Sequence, residues 1–338
     1  MEIAPGIYQL KIPIPDNPLG NLNCYLIEGK NGWLMIDTGW NTTEAFNSLQ
    51  MGLKELGLTL TDISTIIVTH VHPDHFGLAG RIKQVSPRTY LLIHRWESDL
   101  IESRYLKFSE LRDQMSVLLE RHGVPHLNLS SLDSASMPAL GLVTVTFPDR
   151  TLYGGEIIST GLYDVEVIWT PGHSPGHICL YEPRNKFLFS SDHILPGITP
   201  NISYHVQSGD NPLGDYIHAL HKLQNLPVSK VLPAHEDVFS DLRTRIEQIV
   251  IHHDRRKAEI QEVVASKPHN AWEISPSITW DTQIAWDKLP PLHKRSAVME
   301  VVAHLECMRW EGNIERIIKD NRISYVARQG RENPYPMQ

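Results

Sequence analysis

The spacing of apolar positions predicts a series of strands before the first helix. Residues 7–12, 23–28 and 33–37 carry β-branched and aromatic side chains between Pro- and Gly-rich turns and read as three strands. From residue 42 to 56 the period changes. Ala45, Phe46, Leu49, Leu53 and Leu56 share one helical face, with Asn41 or Thr42 as the cap. The run Thr65-Ile66-Ile67-Val68-Thr69 lacks polar alternation, as in a strand buried on both faces, and it ends at His70. Residues 76–85 predict a helix, 90–93 a strand and 96–123 a helical stretch rich in large apolar side chains; the Ser-rich residues 128–140 read as a loop. Strand patterns return at 143–147, 165–169, 178–181, 187–190 and 230–232, with helices at 215–223 and 242–265.

A smaller unit begins near residue 280. Ala297, Val298, Val301, Val302, Leu305 and Met308 form one helical stripe, and residues 314–318 and 323–326 flank Lys319-Asp320-Asn321 as a hairpin. This order suggests a winged-helix-like appendage. The expected division is 1–270, with a helical insertion at about 95–140, and 271–338.

The 338 residues suffice for a substantial core without staples. A net charge of −8 argues against a nucleic-acid partner, although a local basic patch can hide in an acidic total. Residues 294–338 carry eight Lys/Arg against six Asp/Glu, poor support for a phosphate-binding surface. Cys24, Cys179 and Cys307 are far apart and read as small buried hydrophobes. The N-terminus shows no basic region followed by an apolar stretch, and no apolar run reaches bilayer length, so a cytoplasmic enzyme without a membrane partner is the default. A homodimer is the assembly considered.

The chemistry concentrates in His70-Val71-His72-Pro73-Asp74-His75, four potential ligands within six residues. His70 and His72 share a side on extended backbone. Pro73 suits the first helical position, which places Asp74 and His75 on the first turn. Imidazole and carboxylate together suit zinc. Thr170-Pro171-Gly172-His173, Ser190-Ser191-Asp192 and Leu232-Pro233-Ala234-His235 each place a polar ligand just after an apolar run. Asp37 could accept from a ligand histidine's other ring nitrogen; a strand-end turn residue is the alternative. His177 and His193 are open in the same way, and His252 and His253 read as an exposed helix face.

In this order the motifs resemble those of the metallo-β-lactamase superfamily, over about residues 7 to 265, most closely the branch with glyoxalase II and lactamase-like thioesterases and nucleases. The resemblance implies an α/β fold, an αββα sandwich with metals at one edge. His70, His72 and His173 would hold one metal, Asp74, His75 and His235 the second, and Asp192 would bridge them. Two zinc ions are implied first, iron or manganese as alternatives. Asp74 would relay a proton as the catalytic carboxylate. The resulting reading is a metal-dependent hydrolase whose shared hydroxide attacks a thioester, ester or lactone of a small acyl substrate. Alternatives are a phosphodiesterase or ribonuclease, an iron-dependent redox enzyme and a non-catalytic binding module. Trp96, Tyr105, Leu106, Phe108, Leu111, Met115 and Leu118 could form an apolar lid or simply pack a core of their own. Tyr204 and His205 are candidates to stabilise an oxyanion.

Overall fold

The computed structural model describes residues 1–135 and 137–328. Its contacts form two units, each discontinuous in sequence, where the sequence pattern suggests a single boundary near 270. One unit comprises residues 1–108, 137–200 and 218–246; the other comprises 109–136, 201–217 and 247–338.

The first unit holds two sheets. The larger contains β1 (Glu2–Ala4), β2 (Ile7–Pro13), β3 (Asn21–Ile27), β4 (Trp33–Ile36), β5 (Ile63–Val68), β6 (Tyr90–His94) and β7 (Arg150–Leu152) in that spatial order. It is antiparallel from β1 to β4 and parallel from β4 to β7. The smaller contains β8 (Ile157–Ser159), β9 (Asp164–Trp169), β10 (Ile178–Glu182), β11 (Phe187–Ser191) and β12 (Lys230–Pro233) in the order β12-β11-β10-β9-β8. Only the β11–β12 pair is parallel.

Side-chain parity sorts the core into two layers. Tyr25, Ile27, Leu34, Ile36, Ile67 and Leu92 meet Val165, Val167, Leu180 and Phe189 of the smaller sheet. The intervening Cys24, Leu26, Met35, Ile66, Val68, Leu91 and Ile93 pack with helices α1 (Thr43–Glu55), α2 (Pro73–Phe76) and α3 (Ala79–Val85) on the other face. Burial on both faces explains why β5 lacks polar alternation. Thr42 caps α1, accepting from the Ala45 N–H.

The helical stretch after β6 resolves into α4 (Arg95–Ile101), a π-helical turn over Glu102–Leu106 and α5 (Phe108–Arg121). Two readings are corrected. Residues 128–140 are not a loop throughout: α6 spans His126–Asp133 and a 3-10 turn spans Met137–Leu142, with Ser136 outside the described residues. Leu129 and Leu132 bury one face of α6, and serine hydroxyls bond back to its carbonyls, Ser131 within the helix to Asn128 and Ser134 just after it to Ser130. Residues 143–147 form no strand. Val143 and Val145 alternate because they pack on the helix-side core, and Phe147 is exposed.

Helices α7 (Pro212–Leu223) and α8 (Leu242–Val264) each run across the division between units. The second unit also contains α9 (Ala271–Ile274), α10 (Pro291–Trp310) and the hairpin β13 (Ile314–Lys319) and β14 (Arg322–Ala327). Asp320 and Asn321 turn the hairpin with left-handed backbone. The α10 stripe packs with Leu118, Leu119, Leu129, Ile260, Ile274 and Tyr325 in one core. No helix among the described residues is long and apolar enough to cross a membrane.

Candidate metal centre

Ligand-type side chains reach one place from four strand ends. After β5 the chain runs extended to His72 (φ −69, ψ 152), and Pro73 opens α2 with Asp74 and His75 in its only turn. His173 lies in the β9–β10 connection, Asp192 just after β11 and His235 just after β12.

Two groups result, His70, His72, His173 and Asp192, and Asp74, His75 and His235. In each, the ligand atoms lie within 4.8 Å of one another. His72 Nδ1 is 2.9 Å from His70 Nε2 and 3.1 Å from His173 Nε2. Asp74 Oδ2 is 3.2 Å from His235 Nε2 and 3.6 Å from His75 Nε2. Asp192 faces both groups: Oδ2 is 3.6 Å from His173 Nε2 and 3.4 Å from His75 Nε2, and Oδ1 is 3.3 Å from His235 Nε2.

These side chains fit a cation. His75 Nδ1 bonds to Asp37 Oδ2 at 2.8 Å and His235 Nδ1 to the Asn21 carbonyl at 2.9 Å. A neutral imidazole that donates from Nδ1 keeps a lone pair on Nε2. Both Nε2 atoms, and Asp192 Oδ1, are buried without a hydrogen-bond partner. Burial pulls the His235 imidazole down, but Asp192 and Asp74 outweigh it and lift it to about 10. The same contest, won by Asp192, Asp74 and Asp37, raises His75. Burial and the neighbouring imidazoles instead hold His70 and His72 well below the ordinary histidine range. Burial opposes the charge on Asp74 too, yet His75 and His235 bring its carboxyl down to about 2. Positive charge is thus favoured at the carboxylate end, and neutral imidazoles are offered at the other.

Asp37 is more than a turn residue. Its backbone is left-handed (φ 60), and its carboxylate accepts from the Thr69 N–H, the Thr69 hydroxyl and His75. His177 lies just before β10 and is fully buried, bonded to Thr170 Oγ1 at 2.9 Å, with its ring 5.1 Å from that of His70. His193 is buried 5.6 Å from the His177 ring. His253 is not on an exposed face: it is buried in the second unit and bonds His304 at 3.1 Å.

Glu97 was missed by sequence reading. It lies in an apparently ordinary amphipathic stretch, and nothing in that pattern signals its full burial beside both ligand loops. The apolar residues after β6 divide between roles. Tyr105 packs on the first unit's core, Met115 and Leu118 pack in the second unit's core, and Trp96 and Leu106 are exposed. Tyr204 belongs to the second unit, its N–H bonded to the Met299 carbonyl.

Residues 17–235 match the family model described as Metallo-beta-lactamase superfamily. A Bacillus subtilis protein named "Probable metallo-hydrolase YqjP" is 24% identical over 322 residues, covering 91% of this chain and 96% of that protein. Two proteins are 28% identical over 64% of this chain: the hydroxyacylglutathione hydrolase GloC of Haemophilus influenzae, covered to 82%, and the acyl-coenzyme A thioesterase MBLAC2 of Gallus gallus, covered to 73%. The crystal structure of a metallo-beta-lactamase family protein from Thermus thermophilus superposes with a TM-score of 0.81 at 28% identity, covering 97% of this chain and 100% of that one.

Proposed function

The chain belongs to the metallo-β-lactamase superfamily and is a metallo-hydrolase; on that premise we propose that its seven converging His and Asp side chains hold two metal ions, zinc in the first instance, and that it hydrolyses a thioester, ester or lactone of a small acyl compound. The observation that carries this reading is the pair of buried Nε2 atoms on His75 and His235, each fixed at Nδ1 and turned to Asp192 and Asp74. A metal pair supplies Lewis acidity and a water of lowered pKa.

The chain's own residues do the rest. Asp37 and the Asn21 carbonyl fix the tautomers of His75 and His235. Asp192 joins the two groups and balances their charge. Asp74 would take the proton of the attacking water, and as a carboxylate that also holds a metal it would do so as a weakened base.

The acyl class rests on similarity to GloC and MBLAC2, whose names describe acyl-thioester hydrolases. Arg309 and Arg316 both bond Glu306, and Arg328 bonds Glu315, so carboxylates of this unit already engage them. Each of these three arginines would have to give up a carboxylate to bind a phosphate; Arg331 and Glu332 lie outside the described residues.

Metal analysis of the purified protein should give two equivalents, and a panel of thioester, ester, lactone and phosphodiester substrates should show turnover of an acyl member. Replacing His72 or Asp74 by Ala should abolish most of it. Preferential turnover of the phosphodiester would overturn the substrate class, and full activity in both variants at verified metal content would overturn the mechanism.

A further inference from the structure

We propose that Glu97 is a positioning residue that fixes the distance between the two ligand loops, and thereby the affinity of the His70, His72 and His173 group for its metal. The inference rests on the metal-binding reading above and concerns a residue outside the ligand set.

The geometry is specific. Glu97 sits in the first turn of α4 and is completely buried. A buried carboxylate without a cationic partner must be satisfied by hydrogen bonds. Glu97 draws them from two separate loops. Oε2 accepts from the Val71 N–H at 2.8 Å, between His70 and His72. Oε1 accepts from the Gly176 N–H at 2.8 Å and from the Ser174 hydroxyl, the residue after His173. One rigid group therefore spans the loop that carries His72 and the loop that carries His173, whose ring nitrogens lie 3.1 Å apart.

The surroundings support a fitted joint. A Cβ on Gly176 would stand 2.6 Å from the Glu97 nitrogen and 2.7 Å from His94 Nδ1, so only glycine lets this loop meet the start of α4. The Val71 carbonyl accepts from the Tyr105 hydroxyl on the adjoining π-helical turn. The peptide groups on both sides of Val71 are thus held by side chains of one segment, outside any strand ladder. Pinning a loop so tightly beyond its strand is explained if the imidazoles must be held at a set separation before a metal arrives.

Glu97→Gln tests this with little change in volume. Its NH2 would face an N–H donor of one loop, so one of the two ties is lost. Glu182→Gln is the matched control: Glu182 is a buried carboxylate of the same unit that caps the Arg184 and Asn185 N–H groups at the β10–β11 turn, away from the ligands. The measurement is cobalt(II) affinity of the metal-free proteins, read by ligand-field absorption, beside thermal unfolding. E97Q should weaken one of the two cobalt sites roughly tenfold or more, within the range for residues that support metal ligands, while E182Q should lower the unfolding temperature and leave both cobalt affinities as in the wild type. Wild-type affinity in folded E97Q, or an equal loss in E182Q, would overturn the inference. If E97Q does not fold, Ser174→Ala, which removes one of the three donors to the Glu97 carboxylate, must show a smaller loss of the same kind, and its absence is equally fatal. Failure of the wild-type protein to bind cobalt would instead overturn the metal-binding reading itself.

Discussion

Replacing Asp37 by Asn isolates a single proton. The substitution leaves the side-chain shape unchanged, and Asn tolerates the left-handed backbone at this position (φ 60) better than Ala would. Its oxygen can still accept from the Thr69 N–H, now 2.8 Å from Asp37 Oδ1. Its NH2 then faces His75 Nδ1, now 2.8 Å from Oδ2. If His75 keeps its proton on Nδ1, two donors oppose each other. If the proton moves to Nε2, the nitrogen turned to Asp74 and Asp192 no longer has a lone pair to give a metal. Either outcome removes a charge-assisted hydrogen bond, which contributes roughly 1.5–3 kcal/mol. At about 1.4 kcal/mol per tenfold, that is a loss of roughly 10- to 100-fold in affinity.

The loss should fall on the Asp74, His75 and His235 group and spare the other. Titration of metal-free protein against a chromophoric chelator should therefore show one site near wild-type affinity and one weakened, with hydrolysis falling accordingly. Two sites of wild-type affinity would refute the claim that Asp37 fixes the His75 tautomer.

Three further outcomes are expected. Chelation should abolish hydrolysis and lower the unfolding temperature, and zinc should restore both; turnover by protein shown to be metal-free would contradict the proposed chemistry. Glu306, buried under Arg309, Arg316 and Tyr325, should cost roughly 1.5–3 kcal/mol when replaced by Gln, by removing charge-assisted hydrogen bonds to arginines that are themselves partly exposed; a loss below about 0.5 kcal/mol in denaturant titration would show these arginines are not committed to it. The second unit should be acid-labile: burial first, then nearby cations, hold His122 and His304 down at about 3. Their folded values lie below the unfolded value of about 6.5, so the stability they contribute is complete above pH 6.5 and is lost as pH falls towards 3, at up to about 1.4 kcal/mol per unit for each; a denaturation midpoint flat from pH 7 to 4 would contradict that burial.

Legibility in the sequence followed the range of the interactions. Strands β2 to β6 and helix α1 were readable because period and capping are local, as Thr42 shows. The 128–140 region was misread because serine signals a loop only when its hydroxyl lacks a helical carbonyl to bond. Residues 143–147 alternate as a strand would because one side packs on a core, and alternation alone cannot report whether a neighbouring strand is present. Glu97 and His253 were unreadable because burial of a polar group depends on partners far along the chain, Val71 and Gly176 for one, His304 for the other.

The candidate ligands came from the order of motifs that resembles the superfamily, and the structure brings them together because they lie at strand ends, where strand register carries their convergence. β4 and β5 run parallel with Ile36 beside Ile67, so Asp37 emerges next to Thr69 and the start of the His70–His75 segment. β11 and β12 run parallel with Ser191 beside Pro233, which delivers Asp192 and His235 to the same edge. β9 and β10 pair Trp169 with Ile178, which closes the loop that carries His173. A one-residue slip in any of these pairs would turn buried side chains such as Ile67 or Phe189 to the opposite face and move the ligand by one strand step, roughly 3.3 Å. That displacement exceeds the 3.1 Å separating His72 Nδ1 from His173 Nε2. The apolar parity that stabilises the sandwich therefore also sets the spacing of the candidate metal centre, and on the proposed function core substitutions that permit a slip should lower metal affinity.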